Sequence, residues 1–321
     1  MVSRSDGSRS TALVECVPNF SEGTREDVMD AIQAAAASVH GAWVLDRHAD
    51  AVHNRMVLTI AGTPGPVAEA AFRATARATE LIDLSQHRGV HPRMGATDVV
   101  PFVPLGTTSM QVCVELAVRV GRRIAAELGV PVYLYGEAAR SPNRRRLPDI
   151  RRGEYERLRM DLPSDPGLAP DFGPARLGAA GATAVGARQP LVAYNVTLAT
   201  PDLSIAQAIA RAIRESAGGL PGVQARGFRT ADPNVVQVSM NLLDTRRSPM
   251  TLVFERIREE ADRRGIIVVE SELVGMAPAE AVADIARQAL KFGRFDADAI
   301  LETRLLERVL GAASGTGRVG E

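Results

Sequence analysis

Two rhythms of apolar residues run along the chain, and their order predicts its elements. Residues 13–18 read as a short strand. Thr24-Arg25-Glu26-Asp27 then has the form of a capping box, and Val28, Ile32, Ala35 and Val39 follow at helical spacing. Residues 43–46 and 56–61 read as strands joined by a polar loop rich in His and Asp. Thr63-Pro64 opens a second helix that reaches Leu81, with Pro at its first position. Residues 83–98 are polar and without period. The strand predicted at 99–103 is interrupted by Pro101, which points to a sheet edge. Ser109 begins a long helix that Gly129 closes, and residues 132–135 form the next strand. Residues 147–162 are charged with helical character, and 163–178, rich in Pro, Gly and Asp, read as a loop approaching a domain boundary near Arg188.

The second half is cleaner. It predicts a strand at 191–198, a helix at 204–217, strands at 223–229 and 235–241, a helix at 249–264, a strand at 266–269 and a helix at 278–290. Both halves therefore open as βαββαβ. Two split-βαβ units in tandem predict an α+β chain of two sandwiches, each a sheet with helices on one face. A cleft between such units is a natural ligand site. The expected organisation is a disordered polar tail over 1–11, subdomains over 12–187 and 188–308, and a second disordered tail over 309–321.

Composition narrows the class. The 321 residues carry 38 basic and 38 acidic side chains, so no bulk charge draws the chain to nucleic acid or membrane. An anionic ligand has to be held by a local patch. Cys16 and Cys113 are too few for a disulfide framework or a Cys-based zinc site, fit a reducing cytoplasm, and read as core residues. No apolar run approaches the ~18 residues of a spanning helix. The polar opening lacks the apolar core of a secretory signal.

All the histidines lie in the first third, four of them in the irregular segments 46–55 and 83–95. His91 is the most distinctive. Pro92 pushes it toward extended backbone, and Gly89 and Gly95 permit sharp turns around it. An imidazole can take and return a proton near neutral pH, though an idle, hydrogen-bonded loop histidine fits the same pattern. His87-x3-His91 allows a metal reading with His48, His53 or Asp50, but Gly89 and Pro92 oppose the helix such a pair needs, and no metal is expected. Arg55 and Arg93 suit carboxylate clamping or ordinary ion pairing. Arg144, Arg145, Arg146, Arg151 and Arg152 read as a solvated face or as a dock for a polyanionic tail. Gly173-Pro174-Ala175-Arg176-Leu177-Gly178-Ala179-Ala180-Gly181 can bring backbone close to a flat ligand or serve as a linker, and it matches no nucleotide-binding fingerprint. The G-x-S-x-G elbow of the hydrolases is absent from the sequence.

Longer motifs carry a resemblance. Val14-Glu15-Cys16-Val17-Pro18-Asn19-Phe20-Ser21-Glu22-Gly23 resembles the opening motif of the formiminotransferase family, and His91-Pro92-Arg93-Met94-Gly95-Ala96 with Asp98 resembles its catalytic segment. Pro131-Val132-Tyr133-Leu134-Tyr135-Gly136-Glu137-Ala138, Arg152-Gly153-Glu154-Tyr155-Glu156, Pro170-Asp171-Phe172-Gly173-Pro174 and Asn241-Leu242-Leu243-Asp244 match in the same order. The resemblance spans residues 13–306. It implies two tandem ferredoxin-like subdomains with a ligand tunnel between them, in a cytoplasmic homodimer. It also implies a single-function transferase without a cyclodeaminase domain.

The implied activity is glutamate formimidoyltransferase, moving the formimidoyl group of N-formimidoyl-L-glutamate to N5 of tetrahydrofolate in histidine degradation. Matching positions imply His91 as general base and acid, and Gly173, Pro174, Ala175, Arg176, Leu177, Gly178, Ala179, Ala180 and Gly181 as the folate-contacting segment. They further imply Asn19, Asp50, Arg55, Arg93 and Tyr135 at the substrates, with small-molecule partners only. Two departures from the family pattern stand out. The Gly-rich segment is shorter by about a residue and lacks the aromatic of mammalian members. The family's acid two positions after Asp46 is His48 here, with Asp50 nearby. Alternatives are formyl transfer or cycloligase chemistry on 5-formyltetrahydrofolate, a metal-dependent amidohydrolase, and a non-catalytic folate-binding protein.

Overall fold

The computed structural model describes residues 12–89 and 92–306. The tails expected over 1–11 and 309–321 lie outside the described residues. The chain divides into one compact unit over Ala12–Gln189 and a second from Pro190 onward.

The first unit begins with β1 (Leu13–Cys16) and β2 (Asn19–Phe20), followed by α1 (Glu26–Ala37), β3 (Ala42–Asp50), β4 (Arg55–Gly62) and α2 (Pro64–Leu81). It continues through β5 (Thr97–Leu105), α3 (Met110–Leu128), β6 (Val132–Gly136), the short α4 (Leu147–Ile150), α5 (Glu154–Asp161) and β7 (Thr183–Ala187). β1 and β2 lie between β4 and β5, all antiparallel, and β3 flanks β4. The strands of the βαββαβ unit thus take the order fourth, first, third, second. Parallel β7 and β6 widen the sheet beyond β5. One face packs on α1, α2 and α3 through fully buried Phe20, Ile32, Leu58, Ile60, Phe102, Ile124 and Leu134.

The second unit holds β8 (Val192–Leu198), α6 (Leu203–Ile213), β9 (Val223–Arg229), β10 (Val236–Leu242), α7 (Met250–Asp262), β11 (Val268–Val274) and α8 (Ala279–Leu290). Its sheet runs β11-β8-β10-β9, the same fourth-first-third-second order. Val196 and Leu198 meet Ile209, Ile213, Val253 and Ile257 in its core. The α+β class and the tandem subdomain plan read from the pattern are what the structure has.

Several local expectations change. The first sheet is covered on both faces at its β5–β7–β6 end, because Leu158 and Leu162 pack on Val99, Tyr133, Tyr135 and Ala184 opposite the three long helices. Parallel strands are commonly buried on both faces. β7 escaped prediction because Thr183-Ala184-Val185-Gly186-Ala187 carries little strand signal; a Cβ on Gly186 would lie 2.4 Å from the Tyr135 ring, so small residues are needed there. Pro101 is not on an edge. β5 is central, and Pro101 lies opposite Val17-Pro18, where β1 gives way to β2; its carbonyl accepts from the Val17 N–H at 3.2 Å. The missing proline donor therefore falls where the ladder is already interrupted. The charged stretch 147–162 is two short helices, separated by Gly153 at φ +86°.

The polar link after Trp43 is mostly strand. A bulge between Val44 and Asp46 shifts the phase of β3, so that Asp46, His48 and Asp50 pair with Thr59, Val57 and Arg55 on the face away from α1. Arg47, on the other face, reaches Glu26 and Asp30 of α1. The capping box is replaced too. The buried Glu22 carboxylate accepts from the backbone N–H groups of Gly23, Thr24 and Arg25 at 3.1, 2.9 and 2.9 Å, placing an anion at the start of α1.

Candidate active site

The end of β3, the start of β4, β2 and the link between α2 and β5 meet at one end of the first sheet. The tight turn between β3 and β4 makes the join. Asn54 sits there at φ +47°, a left-handed conformation that asparagine tolerates. Its Oδ1 accepts from Gly23 N–H at 2.9 Å and its Nδ2 donates to the Arg88 carbonyl at 2.8 Å. A Cβ on Gly89 would stand 2.5 Å from the His53 carbonyl, so glycine is required for this approach. The two histidine-bearing segments, separated by a whole helix in sequence, are thereby packed together.

His87 and Arg93 form the centre. Arg93 Nε donates to His87 Nδ1 at 3.1 Å. A guanidinium can only donate, so Nδ1 is the acceptor. His87 Nε2 therefore carries the hydrogen and donates to the Asn54 carbonyl at 2.9 Å. Burial holds this imidazole below its ordinary value; the Asn54 carbonyl and Glu22 oppose that, and the Arg93 and Arg88 charges reinforce it. Arg93 spends its other donors on the Glu156 carboxylate, at 2.8 and 2.6 Å, on Glu154 at 3.2 Å and on the His87 carbonyl at 3.5 Å. The Glu156 contact raises Arg93 and lowers Glu156, keeping both charged.

Beside this pair, Arg55 reaches Asn19 Oδ1, and Asn19 donates to the Val17 carbonyl at 2.8 Å. Burial and the nearby Arg151 charge bring Arg55 down to about 10. Arg151 pairs with Asp98, whose Oδ1 accepts from Met94 N–H at 2.8 Å. Asp50 accepts from Val52 and His53 N–H at 2.8 and 2.9 Å and meets His53 Nδ1 at 2.6 Å. Burial would raise the Asp50 carboxyl, but the His53 and Val52 contacts outweigh it, and its value falls.

Asn19, Ser21, His53, Asn54, Arg55, His87, Arg93 and Asp98 enclose a small recess with room for about one water molecule. His87 and Arg93 also line an open groove of about 670 Å³, together with Arg88, Tyr155, Glu156 and Arg159. That volume is of substrate size.

Of the residues expected at the site, Asn19, Arg55 and Arg93 line the recess, and Asp50 braces His53 beside it. His91 lies outside the described residues. Tyr135 is buried on β6, is not in the recess wall, and is pushed up to about 12 by burial, with Arg188 and Arg151 beside it. The Gly-rich segment touches the site through its end. Ala182 N–H donates to the Met94 carbonyl at 2.9 Å and Ala96 N–H to the Ala180 carbonyl at 2.8 Å, while Gly173, Ala175, Arg176, Gly178 and Ala179 are exposed.

Sequence reasoning missed the structural parts of the site: Asn54, Glu22, and Glu154 and Glu156 as partners of Arg93. Their signal is a relation between distant segments, which one-dimensional spacing does not contain. The basic run also divides. Arg151 and Arg144 are drawn inward onto Asp98 and Asp171, whereas Arg145 and Arg152 stay exposed. The metal reading fares poorly at His87, since both ring nitrogens are engaged by protein groups. Among the described residues, no group of three or more His, Cys, Asp or Glu is placed to hold a metal ion.

A widened split-βαβ sheet with a cluster of imidazole, carboxylate and guanidinium groups beside an open groove is the arrangement of an α+β protein with a candidate site for a polar ligand. Comparison with known proteins makes this specific. Residues 13–188 match the formiminotransferase domain, N-terminal subdomain, and residues 193–304 match the formiminotransferase domain. The chain is 46% identical over 296 residues to a glutamate formimidoyltransferase of Thermoplasma acidophilum, covering 92% of this chain and 97% of that protein. It is 44% identical over 296 residues to a glutamate formimidoyltransferase of Streptococcus pyogenes, covering 92% and 99%. A formimidoyltransferase-cyclodeaminase of Gallus gallus is 47% identical over 286 residues, 87% of this chain and 52% of that longer protein. The chain belongs to the formiminotransferase family.

Proposed function

We propose that this protein is a glutamate formimidoyltransferase, carrying the formimidoyl group from N-formimidoyl-L-glutamate to N5 of tetrahydrofolate. The observation that carries the reading is the near full-length similarity to two transferases of that name, joined to a groove of substrate size beside the recess. When bound, tetrahydrofolate supplies the accepting nitrogen. One carbon–nitrogen bond to glutamate breaks and one to N5 forms. The proton lost at N5 ends on the glutamate amine, so no oxidant or reductant enters.

His91 is the proposed carrier of that proton, acting as base and then as acid, as an imidazole titrating near neutral pH can. Arg55, held by Asn19 at the recess, is the proposed carboxylate clamp. Arg93, already committed to Glu156, Glu154 and His87, holds the site together in this reading. Arg88 and Arg159 line the groove with further positive charge for a dicarboxylate. The exposed residues of Gly173–Ala179, tied to Met94 and Ala96 at their far end, suit the approach of a flat ligand to backbone. A cytoplasmic homodimer working in histidine degradation completes the proposal.

The test is a two-substrate assay with tetrahydrofolate, offering N-formimidoyl-L-glutamate in one reaction and 5-formyltetrahydrofolate with glutamate in another. Glutamate release in the first, and no glutamate-independent loss of 5-formyltetrahydrofolate in the second, are expected. His91→Ala should lower turnover by roughly 10²-fold or more and leave tetrahydrofolate affinity within a few-fold. Glutamate-independent turnover of the formyl compound would replace this reading with the formyl one.

A further inference from the structure

The network around His87 does more than fill space. His87 reaches Asn54 in the β3–β4 turn through Nε2, and Arg93 through Nδ1. Arg93 in turn holds Glu156 and Glu154 at the start of α5, and the Arg93 carbonyl accepts from Tyr155 N–H at 3.0 Å. Asn54 also fixes the Arg88 carbonyl. The chain entering the segment at residues 87–89 and the chain leaving it at Arg93 are therefore tied by one continuous set of hydrogen bonds. Residues 90 and 91 lie between those ties in sequence.

Backbone conformation points the same way. Among the described residues, three other than glycine have positive φ: Asn54, Glu154 and Lys291. Two of the three are direct members of this network. Left-handed backbone costs energy and is retained where surroundings demand it, often at functional sites. The tautomer matters as well. A protonated His87 would turn its Nδ1–H against the Arg93 Nε–H, cation against cation, and break the tie. Glu22 faces His87 with negative charge, and Arg88 and Arg93 face it with positive charge.

We propose that His87 and Arg93 form a positioning clasp, in which neutral His87 bolts the β3–β4 turn to Arg93 and Glu156 and thereby fixes the walls of the recess and groove on which turnover depends. The clasp serves that turnover, so it rests on the functional reading above. Misplacing a reacting group by about 1 Å can cost on the order of 10²-fold in rate, so the clasp governs turnover rather than substrate affinity.

Leucine, glutamine and asparagine at position 87 separate the ties. Leucine offers neither. Glutamine keeps a donor for the Asn54 carbonyl, and asparagine keeps an acceptor for Arg93 Nε. In the glutamate-release assay, His87→Leu is expected to lower kcat by roughly 10- to 100-fold with KM within about threefold. His87→Gln and His87→Asn should each recover part of the loss. Glu156→Ala attacks the clasp from its half-exposed end, where folding is not at stake, and should lower kcat by about three- to tenfold with KM unchanged. Melting temperatures within a few degrees of the wild type identify the variants that count.

A change confined to KM, or wild-type kcat in both His87→Leu and Glu156→Ala, overturns the clasp. Wild-type turnover in His91→Ala alone overturns the functional reading instead.

Discussion

The two units share a strand order and differ in what hangs from it. In each, a helix leads into the fourth strand of a βαββαβ unit. In the second unit that link is short, residues 263–267 between α7 and β11, and it turns with Gly265 in open space. In the first it spans residues 82–96 between α2 and β5, folds back on the β3–β4 turn and contributes His87 and Arg93. The first sheet also gains β6, β7 and the helices that bring Glu154 and Glu156. The same frame is thus used bare in one unit and elaborated in the other, and the site grows from the elaboration. Loops on a rigid scaffold can carry chemistry because the sheet beneath them pays the cost of order.

The largest effect after loss of His91 should separate the two links directly. Gly95→Ala places a Cβ 2.0 Å from the Ala182 carbonyl oxygen, against backbone that cannot yield cheaply. A loss of about 1–3 kcal/mol in denaturant unfolding is expected, with turnover falling as the 94–96 pairing to 180–182 is disturbed. Gly265→Ala, at φ +67° but with nothing within 4 Å, should cost about 1 kcal/mol and leave turnover unchanged. Equal effects on activity would erase the distinction between the links.

Acid should weaken the units at different pH. His87 lies below its ordinary 6.5 when folded, so its contribution is complete above that pH and is lost as pH falls through the lower folded value. Glu22 in the first unit and Glu260 in the second lie below the ordinary 4.5, and their contributions are lost only as pH falls beneath that. Between pH 6.5 and 4.5 these groups weaken the first unit alone. Amide exchange in β4 and β5 should accelerate relative to β8 and β10 on moving from pH 7.5 to 5, after correction for intrinsic rates. His87→Gln should remove the difference.

The smallest effects concern helix caps. Asp202 accepts from Ser204 N–H at 2.8 Å at the start of α6, so Asp202→Ala should cost about 1 kcal/mol. Thr24 only supports Glu22, through a hydroxyl donating at 2.9 Å, and Thr24→Ala should cost about 0.5 kcal/mol. Thermal unfolding of both variants checks the order.

Much of the architecture is written in local pattern. Apolar spacing, Pro64 at a helix start and Gly129 at φ +66° after α3 determine α2 and α3 almost to the residue, and the second unit reads off in order. These signals act within a turn or two of chain, where backbone sterics and one buried face decide the outcome. Motif resemblance carried the family further than periodicity could. The tertiary structure alone decided the rest. Pro101 is central because the neighbouring strand happens to break opposite it. Thr183–Ala187 is a strand because Tyr135 needs small neighbours. Arg93 is a tie in a network because Glu156 and His87, 63 and 6 residues away along the chain, take its donors. The tautomer of His87 follows only from who stands on each side of the ring. Such outcomes depend on pairings between distant segments, and a linear sequence states the partners without stating the pairs.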